Sequence, residues 1–209
     1  CYRQALHYKI ADAESYRNLG AALNAAGRSE EAEADVRRAI ELNPLDAASY
    51  VSLGAILITR GEPAEAELAF LRALEISPDL AEANDDLGTL LLEQQRLDEA
   101  ETRLLKALEF RPDSFQAWNN LAICYKKQDR LADAERAVRR ALDLRPDSTE
   151  ALNNLGSLLR RLDRTEESEA VIRQALKLSD EVGLAHLNLG ITLKTLDRLD
   201  EASACFERA

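Results

Sequence analysis

Residues 115–148 read FQAWNNLAICYKKQDRLADAERAVRRALDLRPDS, and the order of small and large apolar residues in that stretch decides the fold. Trp118, Leu121, Ala122 and Tyr125 fall at i, i+3, i+4 and i+7, which is one face of a helix. The pattern breaks at Gln128-Asp129-Arg130, and Ala134, Val138, Ala141 and Leu142 then build a second apolar face. Pro146 closes the stretch, because proline has no backbone N–H to donate and turns the residue before it away from helical angles. Two helices joined by a short turn are therefore expected here.

The same pattern recurs in both directions. Pro44, Pro78, Pro112 and Pro146 stand 34 residues apart, as do Leu19, Leu53, Leu87, Leu121, Leu155 and Leu189. Ala5, Ala39, Ala73, Ala107, Ala141, Ala175 and Ala209 form a third column. Gly20, Gly54, Gly88, Gly156 and Gly190 form a fourth, with Ala122 in its one gap. A period of this length marks a repeat architecture. A single hairpin cannot bury both of its apolar faces, so neighbouring hairpins must stack. Small residues such as Gly54, Ala66 and Ala100 predict close helix approach, with Leu53 and Phe70 filling the space between. Gly27 and Gly61 occupy the turn early in the chain and Asp129, Asp163 and Asp197 later. All are residue types that tolerate the left-handed geometry ending a helix.

Composition agrees with a helical chain: 46% of the 209 residues are apolar and 31% charged, with Ala and Leu dominant and only 5% aromatic. Twenty-seven basic against 38 acidic residues give a net charge of −11, which disfavours nucleic acid and anionic membrane as partners. No apolar run approaches the ~20 residues that cross a bilayer. The three cysteines, Cys1, Cys124 and Cys205, are odd in number and lack metal-ligand spacing, so a reducing, cytoplasmic setting is expected. The chain holds no methionine and both ends fall inside a repeat. An excised segment, or ends that stack on another copy, is the expectation.

These columns resemble the tetratricopeptide repeat family, whose unit reads aromatic, Leu-Gly, Tyr, Gly, Ala, aromatic, Ala and Pro. The second unit holds Tyr50, Leu53-Gly54, Leu57, Gly61, Ala66, Phe70, Ala73 and Pro78 at those places. The fourth holds Trp118, Leu121-Ala122, Tyr125, Asp129, Ala134, Val138, Ala141 and Pro146. Departures are Asn84, Leu152 and His186 for the opening aromatic, Ser168 for an alanine, and Asp180 for the proline. The resemblance implies an all-α, right-handed α-solenoid in one array over residues 1–209. Its parts are a half unit at 1–12, units at 13–46, 47–80, 81–114, 115–148 and 149–182, and an incomplete unit at 183–209.

No catalytic constellation is apparent, and no metal or cofactor is expected. His7 and His186 are the only histidines, and His186, in place of an opening aromatic, is expected to take a half-buried packing position. Cys124 is read as an inert core thiol and Cys205 as an exposed one that could react. Glu33 with Arg37, Glu135 with Arg139, and Glu169 with Arg173 are i, i+4 pairs of a solvated helix surface.

The resemblance implies that the first helix of each unit lines a concave groove that holds an extended partner segment. The candidates there begin with Asn18, Asp86, Asn120, Asn154 and Asn188, with Asn119 and Asn153 beside two of them. This column resembles the asparagine ladder of O-linked N-acetylglucosamine transferases. It is read either as gripping a peptide backbone or as bonding the adjacent unit's backbone and so fixing the superhelix. Lys126, Lys127, Arg160, Arg161 and Lys194 make the late groove basic, whereas Glu82, Asp85, Asp86 and Glu93 make its middle acidic. Lys126, Arg160 and Lys194 are read either as holding carboxylates of an acidic segment or C-terminus, or as balancing helix C-terminal dipoles. The carboxylate clamp of chaperone-binding relatives is not expected, because Ala21 follows Arg17 where an asparagine is needed. The function expected is a protein- or peptide-binding scaffold. Alternatives are the substrate-recruiting arm of a larger enzyme such as a glycosyltransferase, or a self-assembling structural protein.

Overall fold

The computed structural model of the chain describes residues 12–179 and 183–209. The half unit expected at the start, with Cys1 and His7, lies outside the described residues except for Asp12, and so does Asp180. Twelve helices and no strand occur among the described residues. Six hairpins account for them: α1 (Ala13–Ala25) with α2 (Ser29–Leu42), α3 (Ala47–Thr59) with α4 (Pro63–Ile76), and α5 (Ala81–Glu93) with α6 (Leu97–Phe110). Then follow α7 (Phe115–Lys127) with α8 (Leu131–Leu144), α9 (Thr149–Arg161) with α10 (Thr165–Leu178), and α11 (Gly183–Thr195) with α12 (Leu199–Phe206). Each first helix begins 34 residues after the last.

The helices belong to two compact units, Cys1–Arg111 and Pro112–Ala209. Each is a short all-α solenoid of three stacked hairpins. Within a unit the two helices of a hairpin pack together, the second packs on the next hairpin, and successive first helices touch.

The starts and stops follow from the sequence. Asp12, Ser114 and Ser148 cap α1, α7 and α9, each accepting from the backbone N–H three residues on at 2.8–3.2 Å. Gly27 and Gly61 have φ of +74° and +76°, and Asp129, Asp163 and Asp197 have φ of 59–64°. The expected turn residues thus all adopt the left-handed conformation. Gln95 does too, at φ 62°, and nothing in a glutamine side chain favours it.

Close packing inside each hairpin comes from the glycine column. A Cβ at Gly88 would lie 2.8 Å from Leu104 Cγ, and one at Gly190 would lie 2.5 Å from Phe206 Cε1. Gly20, Gly54 and Gly156 face Val36, Phe70 and Ile172 in the same way. Leu121, Ala122, Tyr125, Ala134, Val138 and Ala141 are buried as expected, while Trp118 and Leu142 are half-buried. The departures from the aromatic column have a local explanation in one case. Trp118 Nε1 donates to the Pro112 carbonyl (2.9 Å) and Tyr50 Oη to that of Pro44 (3.3 Å). Asn84 Nδ2 keeps that bond to the Pro78 carbonyl at 3.4 Å without the ring.

An arginine before each of several second helices ties hairpins together. Arg96, Arg164 and Arg198 fork onto Glu99, Glu167 and Glu201 three residues on. Each also reaches back 29 residues, to Glu67, Glu135 and Glu169, at 2.7–2.8 Å. The i, i+4 bonds of Arg37, Arg139 and Arg173 are present as well, at 2.7–2.9 Å. Glu135 and Glu169 are therefore each gripped from two helices. Burial alone would raise their pKa, but the arginines outweigh it and hold both carboxyls below the ordinary range.

Gln95→Gly is expected to raise stability by roughly 0.5–1 kcal/mol, because left-handed strain is relieved at some entropic cost. Thermal melts of the two proteins test this, and an equal or lower melting temperature contradicts it.

Candidate functional site

Successive first helices touch within each unit, so their outward residues form one continuous surface per unit. In the second unit this surface is built from α7, α9 and α11. The asparagine column sits here, and its chemistry is mostly internal. Asn119 and Asn153 are buried, at 0% and 3% exposure. Asn154 Nδ2 donates to Asn119 Oδ1 (3.1 Å), and Asn188 Nδ2 donates to Asn153 Oδ1 (2.8 Å). Asn119 Nδ2 in turn donates to Glu150 Oε1 at 2.6 Å. Asn120 is buried and accepts from Gln116 Nε2 at 3.2 Å.

The groove expectation therefore needs correction for Asn119, Asn120 and Asn153. Their amides are withdrawn from the surface, because an unpaired buried amide costs more than a hydrogen bond returns. The partner in the neighbouring hairpin is a side-chain amide, not backbone. Asn154 and Asn188 remain half-buried, each with one N–H committed to the preceding hairpin. Asn18 is half-buried on α1 in the first unit.

The basic residues of the second unit divide into a cluster and an outlier. Lys126 is half-buried, and its Nζ donates to Ser157 Oγ on α9 at 3.1 Å. Burial lowers its pKa, and the positive charges of Arg161, Arg160 and Lys127 lower it further. Arg161 is oriented by two acceptors on α7 and its turn, the Lys126 carbonyl (2.8 Å) and Asp129 Oδ1 (2.5 Å). The Nε of Arg160 is buried and meets no hydrogen-bond acceptor among the described residues. Lys127 and Lys194 are exposed.

In the first unit the corresponding surface carries carboxylates. Asp86 sits in a cavity of about 200 Å³ between α3 and α5, with Ala55, Ile58, Phe70, Leu90 and Glu93 around it. Burial pushes its pKa up to about 7, aided by Glu82 and Asp85 and opposed by Arg111. Sequence reasoning named Asp86 and missed the cavity. The signal was present: Ile58 stands at the register position that Lys126, Arg160 and Lys194 occupy in later repeats.

The remaining candidates are buried or half-buried. His186 is buried, at 3% exposure, beyond the half-buried packing role expected. Cys124 is buried, as expected of a core thiol. Cys205 departs from its expected exposure: it is half-buried against Ile172, Ala185 and Leu189, and burial pushes its thiol pKa up. A thiol so placed is a poor nucleophile. Among the described residues no group of three His, Cys, Asp or Glu side chains stands together to hold a metal ion. No described helix is long and apolar enough to cross a membrane.

Comparison with known proteins agrees with this architecture. Two family profiles, each described as tetratricopeptide repeat, match residues 17–81, 86–149 and 125–182, and residues 184–209. No curated protein sequence matches the chain. Among solved structures, that of Pseudomonas aeruginosa pilF is 22% identical with a TM-score of 0.83, over 92% of this chain and 88% of that one. PilW, described as a type IV pilus biogenesis factor, is 21% identical with a TM-score of 0.86, over 92% and 90%. YrrB, described as a TPR protein with an unusual peptide-binding site, is 22% identical with a TM-score of 0.69, over 88% and 95%. At such identities the likeness is one of fold.

If the asparagine pairs join the hairpins, a double-mutant cycle of Asn153→Ala and Asn188→Ala will show coupling of roughly 0.5–1.5 kcal/mol. Strictly additive losses in chemical denaturation contradict the pairing.

Proposed function

Since the chain belongs to the tetratricopeptide repeat family, we propose that it is a protein-interaction scaffold without chemistry of its own. Its first-helix surfaces bind an extended partner segment, and the cluster of Lys126, Lys127, Arg160 and Arg161 receives acidic side chains of that segment. The observation that carries this reading is an unmet electrostatic demand. Arg160 has a buried Nε with no acceptor among the described residues, and beside it Lys126 gives up hydration among three other cations. Like charges held together in a partly desolvated place repel until an anion arrives. A carboxylate beside Arg160 offsets that repulsion.

Two further features support a scaffold. The hydrogen bonds between asparagines fix neighbouring first helices before any ligand binds, so less ordering cost falls on the binding step. The net charge of −11 leaves this cluster as a local positive field on an acidic protein. That contrast orients an acidic segment more than it adds raw affinity. The resemblance to O-linked N-acetylglucosamine transferases rests on the asparagine column alone. The cross-hairpin bonds of Asn119 and Asn153 give that column a structural role that requires no enzyme.

Binding of a glutamate-rich peptide, measured by calorimetry at low salt, is expected to weaken about tenfold or more in Lys126→Glu and in Arg160→Glu. It should also fall as salt rises. Affinity untouched by both substitutions removes the cationic cluster from the proposal.

A further inference from the structure

The slot between neighbouring first helices recurs at the repeat interval, and its versions between α7 and α9 and between α3 and α5 differ in one telling respect. In the second unit its positions hold Ile123, Lys126, Asn154, Ser157 and Arg161. In the first unit the same positions, two repeats earlier, hold Ala55, Ile58, Asp86, Thr89 and Glu93. In the second unit the chain fills the slot itself: the Lys126 side chain crosses from α7 to α9 and places its ammonium 3.1 Å from Ser157 Oγ. That hydroxyl donates to the Asn154 carbonyl at 3.0 Å and so meets the ammonium as an acceptor.

In the first unit Ile58 replaces the lysine, and the slot is an open cavity of about 200 Å³. Ile58, Leu90 and the ring of Phe70 give it an apolar floor, and Asp86 and Glu93 give it two carboxylates. Phe70 is held there by its close contact with Gly54. Thr89 stands where Ser157 does, and its hydroxyl likewise donates to a backbone carbonyl, that of Asp85 at 2.9 Å. Asp86 is only partly exposed, and its carboxylate makes no hydrogen bond or ion pair among the described residues. An acidic, apolar-floored slot of a shape that accepts a lysine elsewhere in the same chain thus lacks one here.

We propose that the cavity between α3 and α5 binds a lysine side chain of a partner protein, its stem on Ile58 and Phe70 and its ammonium between Asp86 and Glu93. The apolar stem and charged head of lysine match the two halves of the lining. The geometry also explains why Asp86 is left unpaired in a shielded place, where an isolated charge is costly until a cation meets it. Glu82 and Asp85 add to that cost, and Arg111 reduces it. Because Asp86 titrates at about 7 in the free protein, it is progressively neutralised as the pH falls below that value. A bound ammonium favours the ionised form. Lysine binding is therefore stronger above pH 7 and weakens as the pH drops through it. The proposal rests on the reading that first-helix surfaces bind partner segments, and it adds a basic residue to what such a segment carries.

The test uses the full chain and a Gly-Ser dodecapeptide, capped at both ends, with lysine at alternate positions. A second peptide carries norleucine in place of lysine. Calorimetry at pH 8 is expected to show the lysine peptide binding at least about tenfold more tightly than the norleucine peptide. Asp86→Asn should weaken it about tenfold, and Ile58→Lys, which lets the chain fill its own slot, should abolish it. Ile58 is 38% exposed, so this second variant folds whatever becomes of the first. Glu75→Gln removes the same charge from an exposed second-helix position and should leave the affinity unchanged. Equal binding of the two peptides, or an equal loss in Glu75→Gln, overturns the proposal. So does binding that survives Ile58→Lys. The glutamate-rich peptide, titrated against the same variants, should bind as before. Its failure to bind the parent protein, with lysine binding intact, would sink the cationic cluster and leave this cavity standing.

Discussion

Each hairpin depends on one close approach between its helices, made where a first-helix residue has little or no side chain. Gly20, Gly54, Gly88, Gly156 and Gly190 face Val36, Phe70, Leu104, Ile172 and Phe206 at separations that leave no room for a Cβ. In the fourth hairpin Ala122 takes the glycine's place and Val138 stands opposite, both buried. Interior packing is dense enough that such a contact fixes the relative position of both helices. Once it is fixed, the outward residues of the first helix recur at the repeat interval, and a slot appears between neighbours. The ion pairs of Arg96, Arg164 and Arg198 and the asparagine pairs then hold hairpin to hairpin.

On the proposed reading, function enters through what fills each slot. The backbone frame is common to both units, but the side chains at its mouth differ in sign. Lys126, Arg160 and Arg161 make one surface cationic, and Asp86 with Glu93 makes the other anionic. Arg161 pairs with Asp129, but Arg160 Nε lacks an acceptor and Asp86 lacks a donor among the described residues. Folding tolerates a buried polar group without a partner only at a cost, and binding sites are where such costs are often retained. On the proposed reading, ligands of opposite charge meet these two groups.

Much of this was legible in the sequence, and what was not had physical reasons. Columns of small residues reveal hairpins because only a narrow range of volumes fits the contact. Gly27, Gly61, Asp129, Asp163 and Asp197 revealed turns because left-handed geometry selects those residue types. Gln95 adopts the same geometry and was invisible, since no local preference marks it. Asn84 looked like a lapse in the aromatic column, yet it keeps the bond to the preceding proline carbonyl. Pairs such as Arg164 with Glu135 join residues 29 apart on neighbouring hairpins. Helix periodicity within one segment cannot show them. The asparagine column was visible, but its partners were not, because burial decides whether an amide faces a ligand or another amide.

The central claim is that the glycine contact sets the helix separation, and coupling between Gly54 and Phe70 measures it most directly. Gly54→Ala adds a methyl group against the Phe70 ring, while alanine also gains about 1 kcal/mol of helix propensity, so the single change is hard to read. Adding Phe70→Val recreates the Ala122 and Val138 pairing of the fourth hairpin. Chemical denaturation of the four proteins should show the double variant more stable than the sum of the single losses predicts, by roughly 0.5–3 kcal/mol. Losses that simply add would mean the two residues do not set the spacing, and the slots would need another origin.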